Sequence, residues 1–138
     1  EEFRLQALIG EAIDKRIIAS AHDVSEGGLI TSLFESAFHN ELGFAVKKRI
    51  PVTRLDGYWF GEAQSRVVVS VPSKNVKTFL EWILASGFPY EELGVVTAAS
   101  VEVEGEDWGP IGYWKDIYDN AISNFLKVSE SESALTAI

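Results

Sequence analysis

The chain has 138 residues and a formal net charge of −9, with 46% hydrophobic and 24% charged residues. These proportions are typical of a globular protein, and the length suits one domain that buries roughly two-thirds of its unfolded chain's surface. The acidic excess excludes a binder of nucleic-acid backbones, because the only concentrated basic run is residues 47–49.

Cysteine and methionine are both absent. The lack of Cys excludes disulfide scaffolds, thiolate metal sites and Cys nucleophiles, and it fits a reducing compartment such as the cytoplasm. No apolar run approaches the roughly 18 residues of a membrane span, so we expect no membrane partner. Because the sequence begins EEFRLQ, without Met, we expect it to be a segment of a longer polypeptide.

Apolar residues at helical spacing predict four helices, and β-branched or alternating runs predict strands between them. In chain order we predict a helix at 5–13, a strand at 17–21, a helix at 30–38, strands at 44–47 and 66–71, a helix at 76–84, strands at 93–98 and 100–103, and a helix at 114–126. The third helix is expected to have Ser73 as N-cap and to stop at Gly87.

This order predicts an α/β (α+β) fold, a layered domain in which helices pack on a mixed sheet. The run RVVVSV at Arg66–Val71 is apolar on both faces, so we predict a central strand covered on both sides. The domain is expected to span residues 1–128. Residues 129–138 are small and polar, which predicts a flexible tail.

The first stretch whose residues could bind a ligand is HDVSEGGL. A strand that ends at Asp23 would leave its carboxylate at the edge where open α/β sheets bind ligands. The next helix would begin at Ser25 or the residue after it, with Gly27 and Gly28 letting a phosphate approach the unpaired N–H groups of its first turn. Asp23 is a sensible Mg²⁺ ligand, because this ion takes one or two carboxylates together with phosphate oxygens.

A structural interpretation of the same stretch is favoured by local physics alone. Asp23 and Ser25 would cap the helix, the glycines would allow close packing, and no complete phosphate-loop pattern is present. We expect His22 to be satisfied by a backbone carbonyl. We expect His39 to lie at the end of the second helix and to interact with its dipole.

The second stretch is DGYWFGEAQSR, at 56–66, which concentrates polar and aromatic side chains before a buried strand. Such polar groups need partners. One interpretation pairs Glu62 with Arg66. The other has Glu62, Gln64 and Ser65 face a sugar or a phosphate, and the residues alone leave both open.

Taken together, AHDVSEGGL and FGEAQSRVVVSV resemble the C-terminal domains of the aminoimidazole-ribonucleotide-synthetase-like superfamily. They are most similar to the second C-terminal domain of the phosphoribosylformylglycinamidine synthases, over about residues 5–126. Related turns occur in selenophosphate synthetase, thiamine-monophosphate kinase and the hydrogenase maturation protein. One departure is Ala63-Gln64, where the family pattern has Ser-Pro.

The resemblance implies a domain of an ATP-dependent C–N ligase of purine biosynthesis, which uses ATP and Mg²⁺ to amidate formylglycinamide ribonucleotide. As partners it implies preceding N- and C-domains of the same chain, a glutaminase subunit and a small accessory subunit. The other domains would carry most catalytic residues, so we expect this domain alone to be inactive.

The resemblance also implies roles for individual residues: by correspondence with the family's first C-terminal domain, Asp23 matches a metal ligand, and Glu62 and Gln64 match substrate-contacting groups. The second C-terminal domain lines a pseudo-equivalent site, and the resemblance leaves open whether that site holds a structural nucleotide or is vestigial. The full candidate set for nucleotide or phosphate binding is Ser25, Gly27, Gly28, Glu62, Gln64 and Ser65, with no catalytic residue in this chain. Two alternatives stay open. The chain is either a domain of another synthetase or kinase of the superfamily, including aminoimidazole ribonucleotide synthetase, or a non-enzymatic docking module.

Overall fold

The computed structural model of the protein describes residues 2–63 and 65–135. Its helices are α1 (Glu2–Asp14), α2 (Gly28–Phe38), α3 (Leu55–Phe60), α4 (Val76–Ser86) and α5 (Ile111–Leu135). Its strands are β1 (Ser20–Asp23), β2 (Gly43–Val46), β3 (Val67–Ser70), β4 (Gly94–Thr97), β5 (Ser100–Val103) and β6 (Glu106–Pro110). None of the described helices is long and apolar enough to span a bilayer.

The strands form two sheets. The larger has the order β4-β2-β5-β6, in which β2 and β5 are parallel and the other pairs antiparallel. The smaller is an antiparallel pair of β1 and β3, with Asp23 opposite Val67. The predicted mixed α/β architecture is therefore confirmed.

Helix α2 is the centre of the core. It buries Leu29, Ile30 and Leu33, because apolar residues recur along it at helical spacing. The inner face of the larger sheet supplies Phe44, Val46, Val101 and Val103 to the same cluster. Helices α3 and α5 and strands β1 and β3 also contact α2. The position of α2 therefore decides where the surrounding segments lie.

Three predictions about local structure were wrong. The first strand begins at Ser20 because Ile17 lies in the turn that follows α1, where its N–H bonds back to the Ala12 carbonyl. Strand β3 is not central: among the described residues it pairs with β1 alone, and a two-stranded sheet leaves its side chains half-buried. A 3₁₀ turn, Ser73–Asn75, precedes α4, so Ser73 is not its N-cap, although α4 does end at Gly87.

Two elements were not predicted: α3, whose six residues are too few to show a helical period, and β6, whose sequence EDWGP is rich in residues that are depleted in strands. The last helix continues to Leu135, so residues 129–135 are helical, and 136–138 lie outside the described residues. The proposed domain boundary at residue 128 stays a prediction.

The start of α2 lies directly against the end of α3. Gly28 has φ of +72°, and a Cβ added there would lie 2.5–2.8 Å from backbone atoms of Phe60. Only glycine avoids both the left-handed strain and this collision. The second glycine of the pair therefore allows two helices to meet, whereas the sequence analysis expected it to help a strand and a helix pack.

We expect Gly28→Val to destabilise the fold by at least about 2 kcal/mol, because a β-branched residue is strained at positive φ and would displace the α3 backbone. Chemical denaturation measures the change. Gly10→Ala is the matched control: no atom lies within 4 Å of its added Cβ, so it should be neutral or slightly stabilising. Equal stability of Gly28→Val and wild type would contradict this packing.

Candidate functional site

The two stretches singled out from the sequence meet at the start of α2. The Gly27 N–H donates to Glu62 Oε1 at 3.1 Å, a bond between residues 35 positions apart. Gly27 is the N-cap and has φ of +80°, and the helix has no side-chain cap from its own first turn. Glu62 satisfies one of the N–H groups that a helix start leaves unpaired.

The helix begins at Gly28 and not at Ser25 or Glu26, because Gly27 and Gly28 both have positive φ and a right-handed helix cannot run through the two of them. The Gly28 N–H bonds to the Ser25 carbonyl at 3.1 Å, which closes the preceding turn. The Ser25 side chain therefore does not cap α2.

Ser32 holds the same turn from inside the protein. Its side chain is almost completely buried, and its hydroxyl lies 3.2 Å from the Asp23 carbonyl and 3.1 Å from the Gly28 carbonyl. One buried hydroxyl thus ties the end of β1 to the first turn of α2. Sequence analysis missed this residue; the only signal was a Ser within the apolar stripe of a helix.

The Asp23 backbone is fixed, but its carboxylate is exposed. Asp23 pairs with Val67, and the Val24 N–H donates to the Arg66 carbonyl at 2.9 Å, which extends the ladder. No hydrogen bond or ion pair within the described residues uses the carboxylate. The prediction that Asp23 lies at the ligand-binding edge of an open α/β sheet was wrong, because β1 belongs to an antiparallel pair.

A metal ion would find few ligands here. The described residues contain no group of three His, Cys, Asp or Glu side chains placed to hold a metal ion. Asp23 is one hard oxygen ligand, which fits the habit of Mg²⁺ of binding one or two carboxylates plus phosphate oxygens and water. Any such site needs further ligands from outside these residues.

The other predicted site residues are only partly brought together. Ser65 is exposed with φ of +62°, and Gln64 lies outside the described residues. The Arg66 guanidinium lies 5.9 Å from the centroid of the Tyr58 ring, and the described contacts include no Glu62–Arg66 ion pair. The interpretation of Glu62 as the partner of Arg66 therefore gives way to Glu62 as the partner of the Gly27 N–H.

Both histidines lie as expected. The Nδ1 of His22 is 2.8 Å from the Asp23 carbonyl, and its Nε2 is 3.4 Å from Glu35 Oε2. His39 follows the last residue of α2. The Tyr118 hydroxyl donates to Glu35 Oε1 at 2.8 Å, so Glu35 links β1, α2 and α5. This hydrogen bond raises the pKa of Tyr118.

Helix α3, which carries the chain toward Glu62, is anchored at Tyr58. The Tyr58 hydroxyl donates to Glu91 Oε2 at 2.8 Å, while Glu91 Oε1 accepts from the N–H groups of Arg49 and Ile50. Burial, followed by the hydrogen bond and the negative charge of Glu91, raises the pKa of Tyr58 well above its usual value. Glu91, which lies before β4, therefore joins α3 to the segment that follows β2.

Residues 2–106 match the family model described as AIR synthase related protein, C-terminal domain. The chain belongs to this family. The match includes both motifs and ends at the start of β6, so most of β6 and all of α5 lie beyond it.

Curated relatives agree with the AIR synthase-related family. Phosphoribosylformylglycinamidine synthase subunit PurL of Leuconostoc mesenteroides is 45% identical over 98 residues, 71% of this chain and 12% of that protein. The subunit of the same name from Anaeromyxobacter sp. strain K is 31% identical over 146 residues, 99% of this chain and 19% of that protein. The chain thus spans between an eighth and a fifth of these relatives.

Solved structures show the same fold. PurL of Thermotoga maritima complexed with FGAR superposes with a TM-score of 0.65 at 19% identity, over 81% of this chain and 20% of that one. Its complex with ATP gives 0.65 at 18% identity, over 79% of this chain and 20% of that chain. This likeness supports the arrangement of sheets and helices described above.

We expect Tyr58→Phe to lower stability by about 1 kcal/mol at neutral pH, because it removes the hydroxyl bonded to Glu91. The raised pKa adds a dependence on pH. The stabilisation by the Tyr58 hydroxyl is complete below the pKa of about 10 that this group has in the unfolded chain. It is lost as the pH rises from that value toward the raised pKa of the folded protein, so the stabilities of wild type and variant should converge in alkali. Denaturation at pH 7 and above pH 10 measures the stability loss and its pH dependence, with Tyr90→Phe as the control. A stability difference between wild type and Tyr58→Phe that does not change with pH would contradict the hydrogen bond from Tyr58 to Glu91.

Proposed function

We propose that this chain is the C-terminal domain of a phosphoribosylformylglycinamidine synthase, which amidates formylglycinamide ribonucleotide at the expense of ATP in purine biosynthesis. The observation that carries the proposal is the joining of the two family motifs by the bond from the Gly27 N–H to Glu62. The curated relatives reported above are named as subunits of that synthase.

We further propose that the surface around Asp23 faces a nucleotide or phosphate. Asp23 would be the Mg²⁺ ligand, and the segments that contain Ser25, Gly27, Gly28, Glu62, Gln64 and Ser65 would form the surrounding wall. Bound Mg²⁺ would offset the negative charge of phosphate oxygens. The part of this chain is to place one exposed carboxylate on a rigid turn.

The remaining ligands and the catalytic groups would come from preceding N- and C-domains of a longer chain. A glutaminase subunit and a small accessory subunit would complete the complex, in the cytoplasm. The length of the relatives supports this proposal, because these 138 residues span at most about a fifth of those relatives. No relative reported above favours another synthetase, a kinase or a docking module.

The 138-residue chain alone should not hydrolyse ATP when formylglycinamide ribonucleotide, Mg²⁺ and ammonia are supplied, because the groups that activate the substrate would lie in other domains. Phosphate release measures this, with a complete synthase of the same family as the positive control. Turnover by the isolated chain at a rate near that of the complete enzyme would show that the domain assignment is wrong.

The ligand-facing role predicts that the chain binds ADP in the presence of Mg²⁺ and that Asp23→Asn weakens this binding at least about tenfold. Even changes beside a metal ligand typically cost that much affinity. Isothermal titration calorimetry gives the dissociation constants. Glu26→Gln removes the same charge from the same turn and should have little effect; equal affinities of wild type and Asp23→Asn would favour the docking module.

A further inference from the structure

The start of α2 depends on an acceptor from a distant part of the chain. Its first turn contains no acidic residue, and neither Gly27 nor the turn before it supplies a side-chain cap. The Gly28 N–H is already bonded to the Ser25 carbonyl, and the Gly27 N–H is bonded to Glu62. Glu62 is thus the side chain that the described structure provides for this helix start.

The position of Glu62 is fixed by what precedes it. The Gly61 N–H bonds to the Gly57 carbonyl at 3.1 Å, which closes the end of α3. One residue earlier, the Phe60 backbone lies against Gly28, and Tyr58 is held by Glu91. Glu62 therefore projects from a segment already locked to α2, so little conformational entropy is lost when its carboxylate reaches Gly27.

Charge separates the two possible roles of Glu62. A carboxylate that faces a phosphate is repelled by it, whereas a carboxylate at a helix N-terminus is stabilised by the N–H groups and by the helix dipole. The observed contact is the second. Asp23 differs, because no hydrogen bond or ion pair among the described residues uses its carboxylate, while Ser32 and the strand ladder fix its backbone.

We infer that Glu62 is a positioning residue: it holds the Asp23–Gly28 turn in place through the Gly27 N–H and does not contact the ligand. The inference rests on the proposed function only for the nature of the ligand. It removes Glu62 from the binding wall and leaves Asp23 as the charged group presented there. Ser32 would hold the same turn from the buried side.

Two substitutions separate positioning from contact. Glu62→Ala removes the acceptor and should speed hydrogen exchange of the Gly27 amide about fivefold in the ligand-free chain, the loss expected for a helix cap. It should also weaken binding of ADP with Mg²⁺ several-fold. Glu62→Gln loses the charge but keeps a carbonyl oxygen, so it should retain most of the protection of the Gly27 amide and most of the affinity for ADP. Glu26→Ala removes a charge from the same turn and should change neither.

Equal losses of ADP affinity in Glu62→Gln and Glu62→Ala, with Gly27 exchange at the wild-type rate in both, would show ligand contact and overturn the inference. Wild-type exchange in Glu62→Ala would overturn it as well. If the wild-type chain binds no ADP, the proposed ligand is wrong, and the exchange rates in the ligand-free chain still decide whether Glu62 fixes the turn. Melting temperatures of all variants establish that each is folded.

Discussion

The rest of the candidate site depends on the close approach between the first residue of α2 and the last residue of α3. A side chain at Gly28 would collide with the Phe60 backbone, so this contact is made by main chain alone. Because α2 is the core helix, the contact ties α3 to the best-packed element of the protein. The segment after α3 then reaches the N-terminus of α2, and two motifs separated along the chain become one surface.

Exposed apolar side chains point to a wider assembly. Phe3 is 81% exposed, Val95 64%, Ile122 78% and Phe125 74%. Ile122 and Phe125 are three residues apart and so share one face of α5, and a contiguous exposed apolar surface of this kind is typical of one that other protein covers. The half-buried strand β3 fits the same account, because its two-faced apolar sequence suits a strand with more neighbours than β1. These features agree with a domain that belongs to a longer chain.

The predictable part of the structure follows from periodicity. The stripes of α2 and α4, and the β-branched strands, were evident because each buries one face or alternates. The start of α2 was misplaced because Ser25 is a good cap by residue type, whereas the helix begins at the second of two left-handed glycines. The role of Ser32 was hidden because a buried Ser in a helix gives no sign of which carbonyl it meets. The bond between Gly27 and Glu62 joins residues that no local pattern relates.

Acidic side chains in this protein repeatedly accept hydrogen bonds from backbone N–H groups at loops. Glu62 does so at Gly27, Glu91 at Arg49 and Ile50, and Glu104 at Lys48. A carboxylate used in this way has its charge partly satisfied and its position fixed, which makes it poorly suited to bind another molecule reversibly. Asp23 shows the opposite combination, because its main chain is held by β3 and Ser32 while its carboxylate stays exposed. Glu102 also combines a paired backbone with an exposed side chain, but it lies on β5 of the larger sheet and not at the turn where the two motifs meet. This division between a fixed backbone and an uncommitted charge, at the turn where the two motifs meet, is what supports the proposed metal-binding role of Asp23.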